Sequence, residues 1–352
     1  MKLGRDVLYP EVAVILGDPQ MPDATKVGNQ FSQEDLEAVQ RLIVALEELA
    51  PYRFVYLSDH VTLLEELRNR RPSFILNFCD TGYRNIQKQE LHVPAYLEIL
   101  GIPYSGAPPA AIATCYDKSL VRAVAAPLGI PVPEEIFLRR AEFPSLWPKA
   151  YPVIIKPNRG DGSLGINQHA VAGNEEEARA QLKWLRDELP GCDTLVQEFL
   201  PGQELSVCLI GNPGFGLRAL PVLEVDYSQL PQGLPQILSY ESKTIPESPY
   251  WTQIRYAEAQ LPEEVQSRLI GYSELLFERF SLRDYGRFDF RTAADGTIKL
   301  MEVNPNPAWC WDGKMNLMAG FGGESYADLL GSLLSAAQKR VYAVSEGSVP
   351  PP

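Results

Sequence analysis

Residues 286–304 read Gly-Arg-Phe-Asp-Phe-Arg-Thr-Ala-Ala-Asp-Gly-Thr-Ile-Lys-Leu-Met-Glu-Val-Asn, two alternating runs around an Asp295-Gly296 pair. Asp-Gly in that setting is a strong signal for a hairpin with a two-residue loop. Such a loop sets Ala294 against Thr297, and counting outward sets Asp289 opposite Glu302 and Arg287 opposite Asn304. Phe288, Phe290, Met301 and Val303 then share the other face, an apolar set suited to a core. Carboxylates directly opposite on antiparallel strands have Cβ atoms roughly 5 Å apart, and like charges so placed repel. An ordinary solvated hairpin gains nothing from that pairing. A divalent cation does, because Mg2+ takes carboxylate oxygens and completes its shell with phosphates and water. Asn304 adds a neutral oxygen and Arg287 a cation, while Pro305-Asn306-Pro307 stiffens the turn that follows. A one-residue slip in register would scatter the set.

The rest of the chain frames this hairpin. Its 352 residues, 45% of them hydrophobic, suffice for a large core and two or three lobes. The net charge of −13 argues against nucleic acid or an anionic membrane as partners, so an anionic ligand would need local Lys and Arg. The apolar run at residues 12–16 is too short for a signal-peptide core, and no run reaches the roughly 18 residues of a membrane span. Five scattered cysteines without a Cys-x-x-Cys pair suggest neither zinc nor disulfides and fit a reduced, cytoplasmic setting. His60, His92 and His169 stand apart from any Gly-x-Ser-x-Gly nucleophile, which argues against Ser-His-Asp hydrolysis.

Strand-like runs at residues 12–16, 54–57 and 73–78 alternate with helical patterns, predicting an α/β N-terminal domain with a parallel sheet over residues 1–115. In its first helix Ser32 and Asp35 form a capping-box pattern, with Leu36, Val39, Ile43, Leu46 and Leu49 as the core stripe. Two α+β lobes are expected next, over residues 116–205 and 206–340, then a flexible tail at 341–352. Residues 228–260, rich in Pro, Gln, Ser and Tyr, read as a long lid or binding loop.

Residues 153–165 read as a strand ending in Lys156, then a loop with glycines at 160, 162 and 165 that lets backbone N–H groups approach phosphate oxygens. It is not a P-loop, which needs Gly-Lys-Ser/Thr opening a helix. Lys118, after Asp117 at a helix start, is a second candidate phosphate ligand. Residues 197–204 pass from a strand into a turn whose backbone could read an adenine edge, with Glu204 placed to accept from ribose hydroxyls.

Together, in this order, residues 92–106, Asp117-Lys118, 153–165, 197–207, 240–243, 286–290 and 301–307 resemble the ATP-grasp superfamily, most closely its D-alanine–D-alanine ligase branch. The resemblance implies a three-lobed ATP-grasp fold and a cytoplasmic, homodimeric enzyme that forms a C–N bond and releases ADP. It implies that Lys118, Lys156, Gly162, Ser163 and Lys243 hold the ATP phosphates, that Glu198 with the backbone around Phe199 and Leu200 holds adenine, and that Glu204 holds ribose. Asp289, Glu302 and Asn304 would ligate two Mg2+ ions, with Mn2+ as the alternative metal. Arg287, Lys243 and Ser163 would be the catalytic residues, Arg287 stabilising the acyl-phosphate and tetrahedral intermediate and Lys243 sitting near the γ-phosphate.

The amino-acid pocket departs from the family pattern. The early turn is Gly17-Asp18-Pro19-Gln20, the third strand ends in residues 77–82 without a His-Gly pair, and Thr244 rather than Tyr follows Lys243. The usual Ser-Ser of the phosphate loop is Gly162-Ser163, and Asn304 is followed by Pro305-Asn306-Pro307-Ala308 and then Trp309-Cys310-Trp311-Asp312-Gly313-Lys314. A different carboxylate or amine is therefore expected, as in ligases that add an amino acid to a mycosporine, with Arg84, Asn306, Trp309, Trp311 and Lys314 as candidate pocket residues. A genuine D-alanine–D-alanine ligase, an enzyme that stops at phosphorylation, and a non-catalytic nucleotide-binding subunit are the rivals. Replacing Glu302 with Ala is expected to abolish ADP release while leaving the circular-dichroism spectrum unchanged; undiminished turnover would remove Glu302 from the metal site.

Overall fold

A computed structural model describes residues 9–345, apart from Ala141 and Asp161. The chain opens with β1 (Glu11–Ile15), α1 (Gln33–Glu47), β2 (Arg53–Leu57), α2 (Leu63–Arg70) and β3 (Ile75–Asn77). The three strands form a parallel sheet in the order β2-β1-β3, as the βαβ rhythm predicts. The capping box forms: Ser32 Oγ accepts from Asp35 N–H at 3.2 Å, and Asp35 accepts from Ser32 N–H at 2.8 Å. The buried stripe of α1 differs from the predicted one. Leu42, Ala45 and Leu46 face the core, whereas Leu36 is exposed. The last helix among the described residues, Tyr326–Ser345, packs on α1 and touches the Leu49 side that follows it, which draws the buried face toward the C-terminal end. Two helices follow, α3 (His92–Leu100), which stops at left-handed Gly101, and α4 (Pro109–Cys115).

Next come α5 (Lys118–Ala125), β4 (Glu135–Leu138), β5 (Val153–Pro157), β6 (Val171–Ala172), α6 (Glu175–Glu188) and β7 (Thr194–Glu198). The strands make an antiparallel sheet in the order β4-β7-β5-β6. One face packs Val153, Ile155 and Val196 against Ala178, Leu182 and Leu185 of α6. By strand alternation Ile154 and Lys156 lie on the opposite face.

The remaining elements are β8 (Glu204–Ile210), β9 (Arg218–Ala219), β10 (Leu223–Asp226), α7 (Glu241–Thr244), α8 (Pro249–Gln253), β11 (Arg255–Glu258), α9 (Glu263–Arg279), β12 (Tyr285–Thr292), β13 (Ile298–Asn304), α10 (Lys314–Phe321) and α11 (Tyr326–Ser345). Their main sheet runs β11-β10-β8-β12-β13, with β9 paired to β8. Residues 228–260, expected as a long lid or binding loop, hold α7, α8 and β11 and bury Ile237, Tyr250 and Ile254 in the core. One expectation is corrected here: the flexible tail does not begin at 341, because α11 continues through Ser345; the rest of that tail lies outside the described residues. Among the described residues, no helix is long and apolar enough to cross a membrane.

The hairpin reaches its expected pairing by another route. Ala293 N–H donates to Thr297, so the loop holds three residues, with Gly296 at φ 85°. Thr292 faces Ile298 and Phe290 faces Leu300, one step out of the predicted count. An irregularity beside Asp289 then absorbs one extra residue, Met301, and restores Asp289 opposite Glu302 and Arg287 opposite Asn304. Leu300 therefore enters the core in place of Met301, which turns toward a cleft.

The N-terminal and C-terminal parts are joined through Asp284, which is fully buried. It accepts from Arg340 Nε and Nη2 (both 2.8 Å), from Asn212 (3.0 Å) and from Gly106 N–H (2.8 Å). Replacing Asp284 with Ala strands Arg340 and is expected to destabilise the protein by about 3–5 kcal/mol, read as a lower urea midpoint.

Candidate functional site

The cleft lies between the two antiparallel sheets, and each contributes side chains by strand parity. On β12, alternation sends Phe288 and Phe290 into the core and Arg287, Asp289 and Arg291 toward the cleft. Asp289 is only 3% exposed, so its charge requires compensation. Arg287 Nε and Nη2 donate to it at 3.0 Å, Ser206 Oγ at 2.7 Å and Asn304 Nδ2 at 3.1 Å. Burial by itself raises the carboxyl pKa. The charges of Arg287 and Lys314, with the Arg287 and Ser206 hydrogen bonds, overcome it and hold Asp289 well below the usual carboxylate range.

Glu302 stands across the strand pair from Asp289, with Lys118 Nζ 3.7 Å from its carboxylate. The amide nitrogen of Asn304 donates to Asp289, which leaves its oxygen as the atom available to a cation. Two carboxylates and an amide oxygen form a hard-donor set suited to Mg2+ when phosphate and water oxygens supply the remaining ligands. No group of three or more His, Cys, Asp or Glu gathers among the described residues, so the donor set is incomplete without such oxygens.

The opposite wall carries Lys156 at the end of β5, with Lys118 at the start of α5. Asn158 ties the two elements: its carbonyl accepts from Lys118 N–H at 3.1 Å and its side-chain oxygen from Ser119 N–H at 2.9 Å. Burial, with the nearby charges of Arg122 and Lys118, pushes Lys156 down to about 7, against the opposing pull of Glu302 and Glu135. The glycine loop begins here. Lys118 Nζ donates to Gly160 O at 2.6 Å, and Gly160, Gly162, Ser163 and Gly165 all have positive φ. A Cβ on Gly165 would meet Leu185 at 2.8 Å, so close packing as well as conformation demands glycine there. Ser163 Oγ donates to Leu238 O at 2.7 Å and Tyr240 N–H to Ile166 O at 2.7 Å, joining this loop to the segment that carries Lys243 into the cleft.

The cleft thus brings together Lys118, Lys156, Ser163, Glu204, Lys243, Arg287, Asp289, Glu302 and Lys314. Other expected residues stand elsewhere. Glu198 binds Lys299 at 2.7 and 2.9 Å and accepts from Glu134 N–H. It is Gln197, paired opposite cleft-lining Ile154, that shares the cleft face, its amide donating to Glu135 at 3.0 Å. Phe199 and Leu200, expected to act through their backbone, pack their side chains against Arg291 and in the interior. Of the five candidate pocket residues only Lys314 lines the cleft, with Nζ 3.2 Å from Ser206 Oγ. Trp309 is buried against Phe78 and donates its indole N–H to the Phe78 carbonyl at 2.8 Å. Trp311 is partly exposed beneath Arg41, Asn306 bridges Tyr285 and Glu90, and Arg84 donates its backbone N–H to His60. The side chains of Trp309, Trp311 and Asn306 are thus engaged by packing or surface contacts outside the cleft, and the Arg84 guanidinium lies 5.8 Å from the centre of the Tyr83 ring. Arg291 was missed, although the parity that selects 287 and 289 also selects 291. Ser206 and Tyr256 carry no comparable signal, because only strand pairing brings them here.

The sequence profile of the family described as D-ala D-ala ligase C-terminus matches residues 124–335, more than half of the chain. The chain belongs to this family and is an ADP-forming ATP-grasp ligase that makes carbon–nitrogen bonds. An uncharacterized protein, y4sG, of Sinorhizobium fredii is 27% identical over 256 residues, covering 71% of each chain. A D-alanine–D-alanine ligase of Bordetella petrii is 28% identical over 254 residues, covering 72% of this chain and 73% of its own. In structure, D-alanine–D-alanine ligase from Bacillus anthracis complexed with ATP superposes with a TM-score of 0.69 over 94% of this chain and 98% of its own, at 19% identity.

The depressed Lys156 pKa has a consequence for nucleotide binding. A polyphosphate beside Lys156 favours its charged form and raises its pKa, so binding takes up a proton wherever the unliganded lysine is neutral, that is above about pH 7. Titration calorimetry in buffers of different ionisation enthalpy is expected to show proton uptake on ADP binding at pH 8, less at pH 6, and none attributable to this site in Lys156→Met. Affinity is expected to fall as pH rises above about 7.

Proposed function

We propose that this enzyme joins an amino acid to a carboxylate other than the D-alanine pair, through an acyl-phosphate. A carboxylate oxygen attacks the γ-phosphorus of ATP, the bond to the β-phosphate oxygen breaks, and ADP leaves. An amine nitrogen then attacks the acyl carbon, phosphate departs and the amine loses a proton. Such chemistry needs positioning and charge neutralisation more than covalent work by the protein. In this reading Lys118, Lys156 and Lys243 neutralise phosphate oxygens beneath the glycine loop, and Glu204 accepts from ribose. Arg287 faces the anion that develops at the transferred group. Asp289, Glu302 and Asn304 would hold two Mg2+ ions, which when bound supply positive charge to the phosphate oxygens. Residues 228–260 close the cleft against water, which would otherwise hydrolyse the acyl-phosphate.

The observation that carries the choice of substrate is the early turn after β1. Asp18 replaces the family's glycine-rich turn, and both its carboxylate oxygens are engaged, one by Gln20 N–H (2.8 Å) and the other by His60 N–H (2.9 Å). That turn is thereby committed to holding the N-terminal loops together. Lys314, in the cleft, offers an added cation to the substrate. A second reading, a genuine D-alanine–D-alanine ligase, is favoured by the name of the Bordetella petrii relative.

The test is a screen of amino acids and carboxylic acids for phosphate release with ATP and Mg2+, D-alanine included, followed by mass analysis. A product other than D-alanyl-D-alanine is expected, with ADP formed only when carboxylate and amine are both present. Efficient turnover of D-alanine alone would establish the second reading. ADP formation with a carboxylate alone would indicate an enzyme that stops at phosphorylation, and no ADP with any pair would indicate a binding subunit. Arg287→Met is expected to lower kcat by about 100-fold or more, as loss of a transition-state anion donor does.

A further inference from the structure

Arg291 lines the cleft, yet it is only 3% exposed, and its guanidinium ties the turn at 202–204 to the segment at Gln236. Nη1 donates to Glu204 Oε2 at 3.1 Å, Nε to the Gly202 carbonyl at 3.2 Å and Nη2 to the Gln236 carbonyl at 2.5 Å. The rings of Phe199 and Tyr227 lie 5.2 and 5.4 Å from the guanidinium carbon. The Tyr227 hydroxyl donates to the same Glu204 oxygen, Oε2, at 2.6 Å. Both strong donors to Glu204 therefore fall on one oxygen. Lys314 Nζ stands 3.9 Å from Oε1, beyond hydrogen-bond reach.

We propose that Arg291, with Tyr227, is a positioning residue for nucleotide binding: it clamps Oε2 of Glu204 so that Oε1 is presented to a ribose hydroxyl. The proposal rests on the reading of Glu204 as the ribose ligand. A glutamate fixed in advance loses little conformational freedom when the nucleotide arrives. Arginine suits this role better than lysine because its planar fork satisfies several acceptors in fixed directions. The clamp also opposes Lys314. Without Arg291 the Lys314 ammonium becomes the main counter-charge, engages Glu204, and competes with ribose for Oε1. A buried ion pair that served stability alone would leave discrimination among ribose analogues unchanged.

The test is calorimetric binding of ADP, 2′-deoxy-ADP and 3′-deoxy-ADP, with Mg2+, to the full-length protein. Losing a hydrogen bond to a charged acceptor weakens binding on the order of 10- to 100-fold, so the wild type should prefer ADP over at least one deoxy analogue by about that ratio. In Glu204→Gln and Arg291→Met the ratio should fall toward one, through weaker ADP binding with the deoxy analogue little changed; Tyr227→Phe should be intermediate. Combining Arg291→Met with Glu204→Gln should cost ADP no more than Glu204→Gln alone. Discrimination lost in Glu204→Gln but kept in Arg291→Met overturns the positioning role and leaves the ribose reading standing. If Arg291→Met fails to fold, undiminished discrimination in Tyr227→Phe overturns it instead. A wild type that binds all three nucleotides equally defeats the ribose reading itself, and the clamp with it.

Discussion

Asp289 has almost no contact with water, and the groups around it are arranged to keep it ionised. Arg287, Ser206 and Asn304 each donate to it, and they come from three adjacent strands, β12, β8 and β13. A buried carboxylate without such partners would take up a proton or destabilise the fold by several kcal/mol. The central sheet therefore does two jobs with one backbone. Odd-numbered residues of β12 carry the charged site, while Phe288 and Phe290 anchor the core beneath it. The site is as rigid as the core because the same strand builds both.

Both walls of the cleft supply cations. A chain with a net charge of −13 gathers Lys118, Lys156, Lys243, Arg287, Arg291 and Lys314 into one cleft. Some are countered within the protein, Arg287 by Asp289 and Arg291 by Glu204, while Lys156 lies between Arg122 and Lys118 with its pKa pushed down. A cleft so rich in cations suits a polyanion. Binding that polyanion in a partly dry cleft strengthens each contact, because the low local dielectric that depresses Lys156 also increases its attraction to phosphate.

Much of the fold was legible locally. The capping box at Ser32 and Asp35, the helix stop at Gly101 and the parallel strands of the N-terminal sheet follow from short-range chemistry that tertiary contacts leave intact. The hairpin shows a more instructive case. Its loop is one residue longer than Asp-Gly suggests, and the bulge at Met301 cancels the slip, so Asp289 and Glu302 meet for a reason the alternating pattern does not contain. Where a residue's surroundings come from distant segments, sequence reasoning failed. Trp309 resembles a pocket aromatic, but the Phe78 carbonyl, far away in the chain, claims its indole. Glu198 and Gln197 are adjacent and equally polar, and only the pairing of β7 with β5 decides which one faces the cleft.

By itself the sequence determined residue types and their periodicity: which strands alternate, which turns need glycine, and which charges can share a face. Those properties depend on bonds and contacts within a few residues. The tertiary structure decided which charges meet across strands, which oxygen of Glu204 is held and which cations share one cleft. These depend on register and on partners separated by scores of residues, where a shift of one position exchanges the two faces of a strand.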